Sequence, residues 1–361
     1  MTSAALFQHL VFACGLALLS AATVRLMIAF PILDHPNHRS AHVRPTPRGG
    51  GVGVVLAFIA GMLVLYRVAD QARIAERPFL GVILAAVAIA AVALVDDMRG
   101  LSARLRFGAQ LAAALVAVAS GLAVSRLAIP YVGPVELGLA GTLLTIFWIL
   151  GCTNAVNFMD GLDGLVGGTL LIACAALTAI AALQGGGFVY AAALFLTAGL
   201  LGFLPFNLHP ARIFMGDVGS QFAGFMLAVL AIAASRFDVT QLSFLIVPLL
   251  LFALLFDTAF TLLRRAAMGD KVGAPHRSHL YQMAQRAGMD TRLVAATHWG
   301  FAAFHAALAL LFLRLPPNGK PLVVLPALLV QLLWLALVAR RVRRAGLSWR
   351  DDAVAPSGSG G

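Results

Sequence analysis

The sequence predicts an all-α polytopic membrane protein of about 11 transmembrane helices. Three observations predict it. Of 361 residues, 61% are hydrophobic and 11% charged, whereas soluble chains run about 45–50% apolar and about 25% charged; the mean hydropathy is +0.92. The apolar residues fall into blocks of roughly 20, the length that crosses the hydrocarbon of a bilayer. The basic residues sit in the short segments between those blocks and favour one side of them.

The first block, from about Ala5, lacks the basic leader and cleavage site of a signal peptide and is longer than one, so it reads as a membrane anchor. Further blocks start near Gly49, Pro78, Leu105, Gly138, Val166, Gly187, Val218, Leu242, Leu293 and Pro321. The glycines from Gly49 open a span with no strand before them, so they are not a dinucleotide fingerprint; Gly49 and Gly53 suit close helix packing instead. Residues 1–340 read as one integral membrane domain, and 341–361 as a basic and then disordered tail. Cys14, Cys152 and Cys174 all lie in apolar stretches without metal-ligand spacing and read as core packing residues. The formal charge of +11 would suggest nucleic acid in a soluble protein, but membrane orientation explains it first, and no nucleic-acid partner is expected. No internal repeat is visible.

With that order of spans, 18 Lys and Arg fall in one set of connections and the C-terminal tail, 7 in the other set, and Arg25 in the first span. The positive-inside rule then places the C-terminus in the cytoplasm and the N-terminus outside. The outward connections, near 67–77, 125–137, 184–186, 235–241 and 316–320, are short. The inward segments are longer and carry 11 of the 15 acidic residues, so function is expected on the cytoplasmic face.

Carboxylates at the ends of apolar spans are costly unless they face a polar cavity, and they mark functional sites. Three groups stand out. Asp96 and Asp97 close the third span and are followed by Arg99, Arg104 and Arg106, which supply an anion site beside the acids. Neighbours on a helix point about 100° apart, so the two carboxylates should have different roles; a helix cap is the plainer alternative. In the second group, Asn154, Asn157 and Asp160 share one helical arc, and Gly161 lets the chain unwind and return Asp163 to them. Such oxygen donors suit Mg²⁺, or a sugar or base with several donors. In the third, Asp217 between Gly216 and Gly219 opens a span, where helix N-terminal amides favour anions.

Two basic segments complete the face, one from Asp34 to Gly51 and one around His276, Arg277 and His279. A zinc site at the two histidines is conceivable, though the neighbouring Asp and Arg residues suit phosphate better. Asp257 lies seven and eight residues before Arg264 and Arg265, so an internal ion pair competes with a catalytic role. Several carboxylates and arginines on one face fit the joining of two anions through a divalent ion, as in phosphoryl transfer from a nucleoside diphosphate to a lipid phosphate. A proton-coupled transporter would spread its acids through the depth of the bundle, and a non-catalytic lipid-binding protein would leave the three Asp groups unexplained.

Five strings together resemble one family. They are Asp34-x-Pro36 with Arg39, His42 and Pro45-x-Pro47-Arg48-Gly49-Gly50; Asp96-Asp97 with Leu101-Ser102; Asn154-x-x-Asn157-x-x-Asp160-Gly161-Leu162-Asp163-Gly164; Pro210-Ala211 with Phe214-Met215-Gly216-Asp217-x-Gly219-Ser220; and His276-Arg277-x-His279-Leu280. The family is the polyprenyl-phosphate N-acetylhexosamine-1-phosphate transferases, and the span count looks like the branch that starts O-antigen and related lipid-linked glycans. Ser40 and the His276–Gln282 string look unlike the muramyl-pentapeptide branch.

The resemblance implies a multi-pass enzyme of the bacterial cytoplasmic membrane that moves a sugar 1-phosphate from a UDP-N-acetylhexosamine to undecaprenyl phosphate, with UMP as the second product. The donor would be UDP-N-acetylglucosamine or a 6-deoxy analogue of the N-acetylfucosamine or N-acetylquinovosamine kind. By the same resemblance Asp217 would bind Mg²⁺, or Mn²⁺ in its place, with Asn157 in support. Asp96 and Asp97 would orient or deprotonate the lipid phosphate, and Asp160 would stand between the metal and Asp163, which reads the uracil. Arg104 and Arg106 would hold the lipid phosphate; His276, Arg277 and His279 would hold the pyrophosphate or sugar; Asn154 would line the substrate site. No feature excludes a homodimer.

Overall fold

Apolar blocks become helices because a backbone in lipid must satisfy its hydrogen bonds within the segment. The computed structural model describes residues 2–34, 45–68, 77–129, 133–236, 242–271, 273 and 276–350. The helices are α1 (Ser3–Ala29), α2 (Gly51–Val68), α3 (Arg77–Arg99), α4 (Ala103–Ala119), α5 (Gly138–Met159), α6 (Leu165–Gln184), α7 (Gly187–Asn207), α8 (Gly216–Arg236), α9 (Ile246–Leu250), α10 (Phe252–Ala267), α11 (Leu280–Arg286), α12 (Thr291–Arg314) and α13 (Val324–Arg344). Polar side chains start several of them: Ser102 Oγ accepts from Leu105 N at the head of α4, and Asp290 accepts from Arg292 N and Leu293 N at the head of α12.

Among the described residues eight helices are long and apolar enough to cross a membrane. The other three expected spans coincide with α2, with α4 and with the pair α9–α10, which is interrupted at Leu251. The protein is a multi-pass, all-α membrane protein. Arg39, His42 and the tail 353–361 lie outside the described residues.

Two antiparallel ribbons were not foreseen. Strand β1 (Ile32–Asp34) pairs with β2 (Thr46–Arg48), and β3 (Arg126–Ile129) with β4 (Gly133–Glu136). In the second, Arg126 and Glu136 face each other across the strands in an exposed ion pair of 2.6 Å.

Helix α8 is the centre of the bundle. In its apolar window 94% of residues are buried, against 17% in α1, and it packs on α2, α3 and α5. Small residues permit this. A Cβ placed on Gly51 would lie 2.2 Å from the Gly219 Cα, so the first turns of α2 and α8 meet backbone to backbone. Backbone hydrogen bonds from Gly50 N to Phe214 O and from Gly51 N to Met215 O, both under 3 Å, fasten the same junction. Gly51→Ala should therefore push the two helices apart at a cost of about 1–3 kcal/mol. Thermal unfolding in detergent checks this, with Gly15→Ala, which meets open space, retaining the wild-type midpoint.

The structure bears out one sequence expectation here and corrects another. The second span starts at Gly51, as near to Gly49 as helix ends are defined, and both glycines pack closely on α1: a Cβ on Gly49, at φ +92°, would lie 3.1 Å from Met27, and one on Gly53 would lie 2.8 Å from the Ser20 carbonyl oxygen. Cys152 and Cys174 are buried, but Cys14 is exposed. Helix α1 buries only Leu16, Ser20 and Val24, one residue per turn, and Cys14 lies about 200° around the helix from Leu16.

Candidate active site

Asp96 and Asp97 sit in the last turn of α3, 7% and 3% exposed, and their carboxylates take different partners. Asp97 Oδ1 accepts from the Asp217 amide at 3.2 Å, and Oδ2 from the Val218 amide at 3.1 Å. It thus caps α8 from a neighbouring helix, satisfying two amides that have no partner within α8. Arg48 of β2 donates to the Asp97 carbonyl oxygen and stands 3.8 Å from Asp34 and 3.9 Å from the Asp97 carboxylate. Asp96 bonds elsewhere: Oδ1 accepts from Leu101 N at 2.5 Å and Oδ2 from Arg106 Nη1 at 3.3 Å. The same Arg106 nitrogen lies 3.6 Å from Asp217 Oδ2, so this guanidinium bridges carboxylates of α3 and α8. Arg104, two residues earlier on α4, is exposed.

Asp217 is joined to three further helical residues. Gln221, one turn on in α8, donates to Asp217 Oδ2 at 2.9 Å; Gln110 of α4 donates to Gln221 Oε1 at 3.0 Å; Asn154 of α5 donates to Gln110 Oε1 at 2.7 Å. Asn154 also donates to Leu150 O at 2.8 Å, so its NH₂ is spent inside the protein. Asn157 faces the same end of α8, where its Oδ1 accepts from Ser220 Oγ at 2.6 Å.

Helix α5 stops at Met159, and Asp160 is its C-cap. Burial, and then the charges of Asp217, Asp97 and Asp163, push the Asp160 carboxyl up to about 8. A carboxyl among like charges is neutralised by a proton or by a cation. Asp163 closes the following turn: its Oδ2 accepts from Ala211 N at 3.0 Å and meets His209 Nδ1 at 2.6 Å, holding the 208–212 segment. Asn207 secures this loop from the other side, accepting from Gly164 N and donating to Ile213 O, each at 3.0 Å.

The histidine segment is held by Asp257. Its Oδ1 accepts from His279 Nδ1 and from Leu280 N, both at 3.0 Å, and its Oδ2 from Tyr281 N at 3.1 Å. Of the two readings left open for Asp257, the ion pair with Arg264 or Arg265 is not the arrangement these bonds describe. Arg265 lies 3.9 Å from Asp270, and Arg264 donates to Ser278 O at 2.8 Å, because both arginines sit beyond the turn of α10 that faces α11. His276 stacks on His279 with ring centroids 5.0 Å apart, and the Arg277 carbonyl accepts from Arg286 at 3.1 Å. Tyr281 Oη donates to Phe158 O at 3.0 Å, which brings α11 against the turn that carries Asp160. Burial and the charges of Asp257 and Asp160 raise the Tyr281 hydroxyl well above its usual range, so it stays a neutral donor.

The description Glycosyl transferase family 4 matches residues 79–235. Over 270 residues, 74% of each chain, the protein is 33% identical to a Bacillus subtilis protein named probable undecaprenyl-phosphate N-acetylglucosaminyl 1-phosphate transferase. Over 327 residues it is 33% identical to the decaprenyl-phosphate N-acetylglucosaminephosphotransferase of Mycobacterium tuberculosis H37Rv, covering 82% of this chain and 79% of that one. The chain belongs to the polyprenyl-phosphate N-acetylhexosamine-1-phosphate transferases. A member named phospho-N-acetylmuramoyl-pentapeptide-transferase, from Geobacillus kaustophilus, is 36% identical over 200 residues, 52% of this chain and 60% of its own.

The matched region of this transferase runs from α3 to the end of α8 and so contains Asp96, Asp97, Asn157, Asp160 and Asp217. Among its described residues no three His, Cys, Asp or Glu side chains form a closed cation cage. That donor set still fits Mg²⁺, which keeps several waters and takes one or two carboxylates plus substrate phosphates. For the transferase a zinc site at His276 and His279 lacks a third ligand among the described residues, and the Nδ1 of His279 is occupied by Asp257. No role was read from the sequence for Gln110, Gln221, Asn207 or Tyr281: Gln110 is a lone polar residue in an apolar helix, and the other three lie in or beside the quoted strings without a partner that the sequence alone could supply.

Proposed function

We propose that this transferase moves an N-acetylhexosamine 1-phosphate from a UDP-sugar to undecaprenyl phosphate in the bacterial cytoplasmic membrane, initiating O-antigen or another envelope glycan. An oxygen of the lipid phosphate attacks the phosphorus that bears the sugar. The bond from that phosphorus to the bridging oxygen breaks, and UMP leaves with the electron pair. The products are undecaprenyl-diphosphate-sugar and UMP.

The observation that carries this reading is the gathering of Asp96, Asp97, Asp160 and Asp217, with Arg106 between two of them, at the ends of α3, α5 and α8. Mg²⁺ or Mn²⁺, held by Asp217 with Asn157, would supply the charge that offsets a lipid phosphate and a pyrophosphate brought together. Asp97 acts by fixing the head of α8, since both its oxygens already accept amide hydrogens. A phosphate monoester has its second pKa near about 6, so the acceptor needs little deprotonation, and Asp96 orients it. Arg104 takes the lipid phosphate, and Arg106 joins it by leaving the Asp96–Asp217 bridge. Asp163 reads the uracil, while His276, Arg277 and His279 meet the pyrophosphate or sugar. The basic asymmetry of the connections supports a cytoplasmic site, with the N-terminus outside and the C-terminus inside.

The test is UMP release by the purified protein with undecaprenyl phosphate, with and without Mg²⁺, across UDP-N-acetylglucosamine and 6-deoxy UDP-N-acetylhexosamines. Release with a donor of this panel, dependent on both lipid and Mg²⁺, is expected. Silence with every donor, from protein that unfolds cooperatively, would overturn the reading.

A further inference from the structure

Two glutamines inside the bundle need an explanation. Gln110 and Gln221 are each 4% exposed, on helices that are otherwise mostly apolar. A buried amide without partners is expensive, and polar groups at membrane depth are kept for a purpose. Here each amide is bonded at both ends, in a line that runs from Asn154 through Gln110 and Gln221 to Asp217.

The direction of that line is fixed by its end. A carboxylate offers only acceptors, so Gln221 must turn its NH₂ toward Asp217 and its carbonyl toward Gln110. Gln110 must then turn its NH₂ toward Gln221 and its carbonyl toward Asn154, whose NH₂ closes the line and also donates to the Leu150 carbonyl. All three amide dipoles therefore point their donors at Asp217, and no amide can flip without breaking two hydrogen bonds. The line also fastens α8 to α4 and α5, the helices that carry Arg106 and Asn157.

We infer that Gln221, Gln110 and Asn154 are positioning residues that hold Asp217 Oδ2 in one orientation for a divalent cation. This rests on the proposed function for the placing of a cation at Asp217. Asn154 thereby acts from behind Asp217, through two glutamines, and does not need to touch a substrate.

Mn²⁺ binding to the full-length protein, without donor or lipid, reads this directly through the loss of the free-ion EPR signal. Gln221→Met should weaken binding about tenfold, the usual penalty for losing a hydrogen bond to a metal ligand. Asn154→Ala, two links away, should weaken it as well, and Gln110→Met/Gln221→Met should bind no worse than Gln221→Met alone, because a broken line cannot be broken twice. Thermal midpoints identify any variant that fails to fold, and Asn154→Ala, at a half-buried position, provides the second route. Wild-type affinity in all the variants, additive losses, or no Mn²⁺ binding by the wild type would each overturn the inference. Wild-type protein that binds Mn²⁺ through an intact line but releases no UMP would overturn the proposed function and leave this inference standing.

Discussion

Asp217→Ala is expected to abolish the proposed Mg²⁺-dependent UMP release, with a loss of about 10³-fold or more, equivalent to about 4 kcal/mol of transition-state stabilisation. Asp217 stands where three sets of restraints converge. Its backbone amide is held by Asp97, its Oδ2 takes the N–H of Gln221, and Arg106 lies 3.6 Å away. Removing the carboxylate leaves the backbone restraint untouched and leaves Arg106 bonded to Asp96. Because the side chain is 27% exposed, no large cavity opens, but the buried NH₂ of Gln221 loses its acceptor, at a cost of about 1–3 kcal/mol, so activity is read well below the lowered unfolding midpoint of the variant. A loss read there would be chemical. Near-normal activity in the alanine variant, or loss that tracks unfolding, would sink the metal assignment.

What could be read in the sequence and what could not divide along a physical line. The apolar blocks are legible because bilayer thickness sets their length, and all of them coincide with helices, even the ninth, which is interrupted at Leu251. The acidic groups are legible because carboxylates beside lipid are too costly to keep without a use. Different roles for Asp96 and Asp97 followed from helical geometry alone. That Asp97 spends both oxygens on the amides of Asp217 and Val218 did not, because these partners lie 120 and 121 residues away. The glutamine line was hidden for the same reason, since Gln110 and Gln221 are 111 residues apart and neither belongs to a motif. The role of Asp257 stayed open between an ion pair and catalysis, because arginines two turns along the same helix were the only partners local reasoning could offer. Three of its partners lie 22 to 24 residues on, at the head of another helix, and the fourth, Thr261, is a neutral hydroxyl one turn away.

Asp257→Ala should produce the largest loss of stability among substitutions near the site. The side chain is 1% exposed and accepts from His279 Nδ1, Leu280 N and Tyr281 N, with Thr261 Oγ1 at 3.2 Å. Each buried donor left without an acceptor costs about 1–3 kcal/mol, and the losses overlap, so a total of about 3–5 kcal/mol is expected. Helix α11 has seven residues, too few to persist on its own; Asp257 on one side and the Tyr281–Phe158 hydrogen bond on the other hold it in place. Asp257→Asn keeps one acceptor oxygen but turns an NH₂ toward the remaining amides, so it should fall between alanine and wild type. Thermal unfolding in detergent gives the ranking, and UMP release below each midpoint gives the functional consequence. That consequence should be severe in both variants. Phe158, which accepts from Tyr281, lies two residues before Asp160, so freeing α11 also frees the turn that presents Asp160 to the other carboxylates. An alanine variant with wild-type midpoint and activity would show that α11 is held by something other than Asp257.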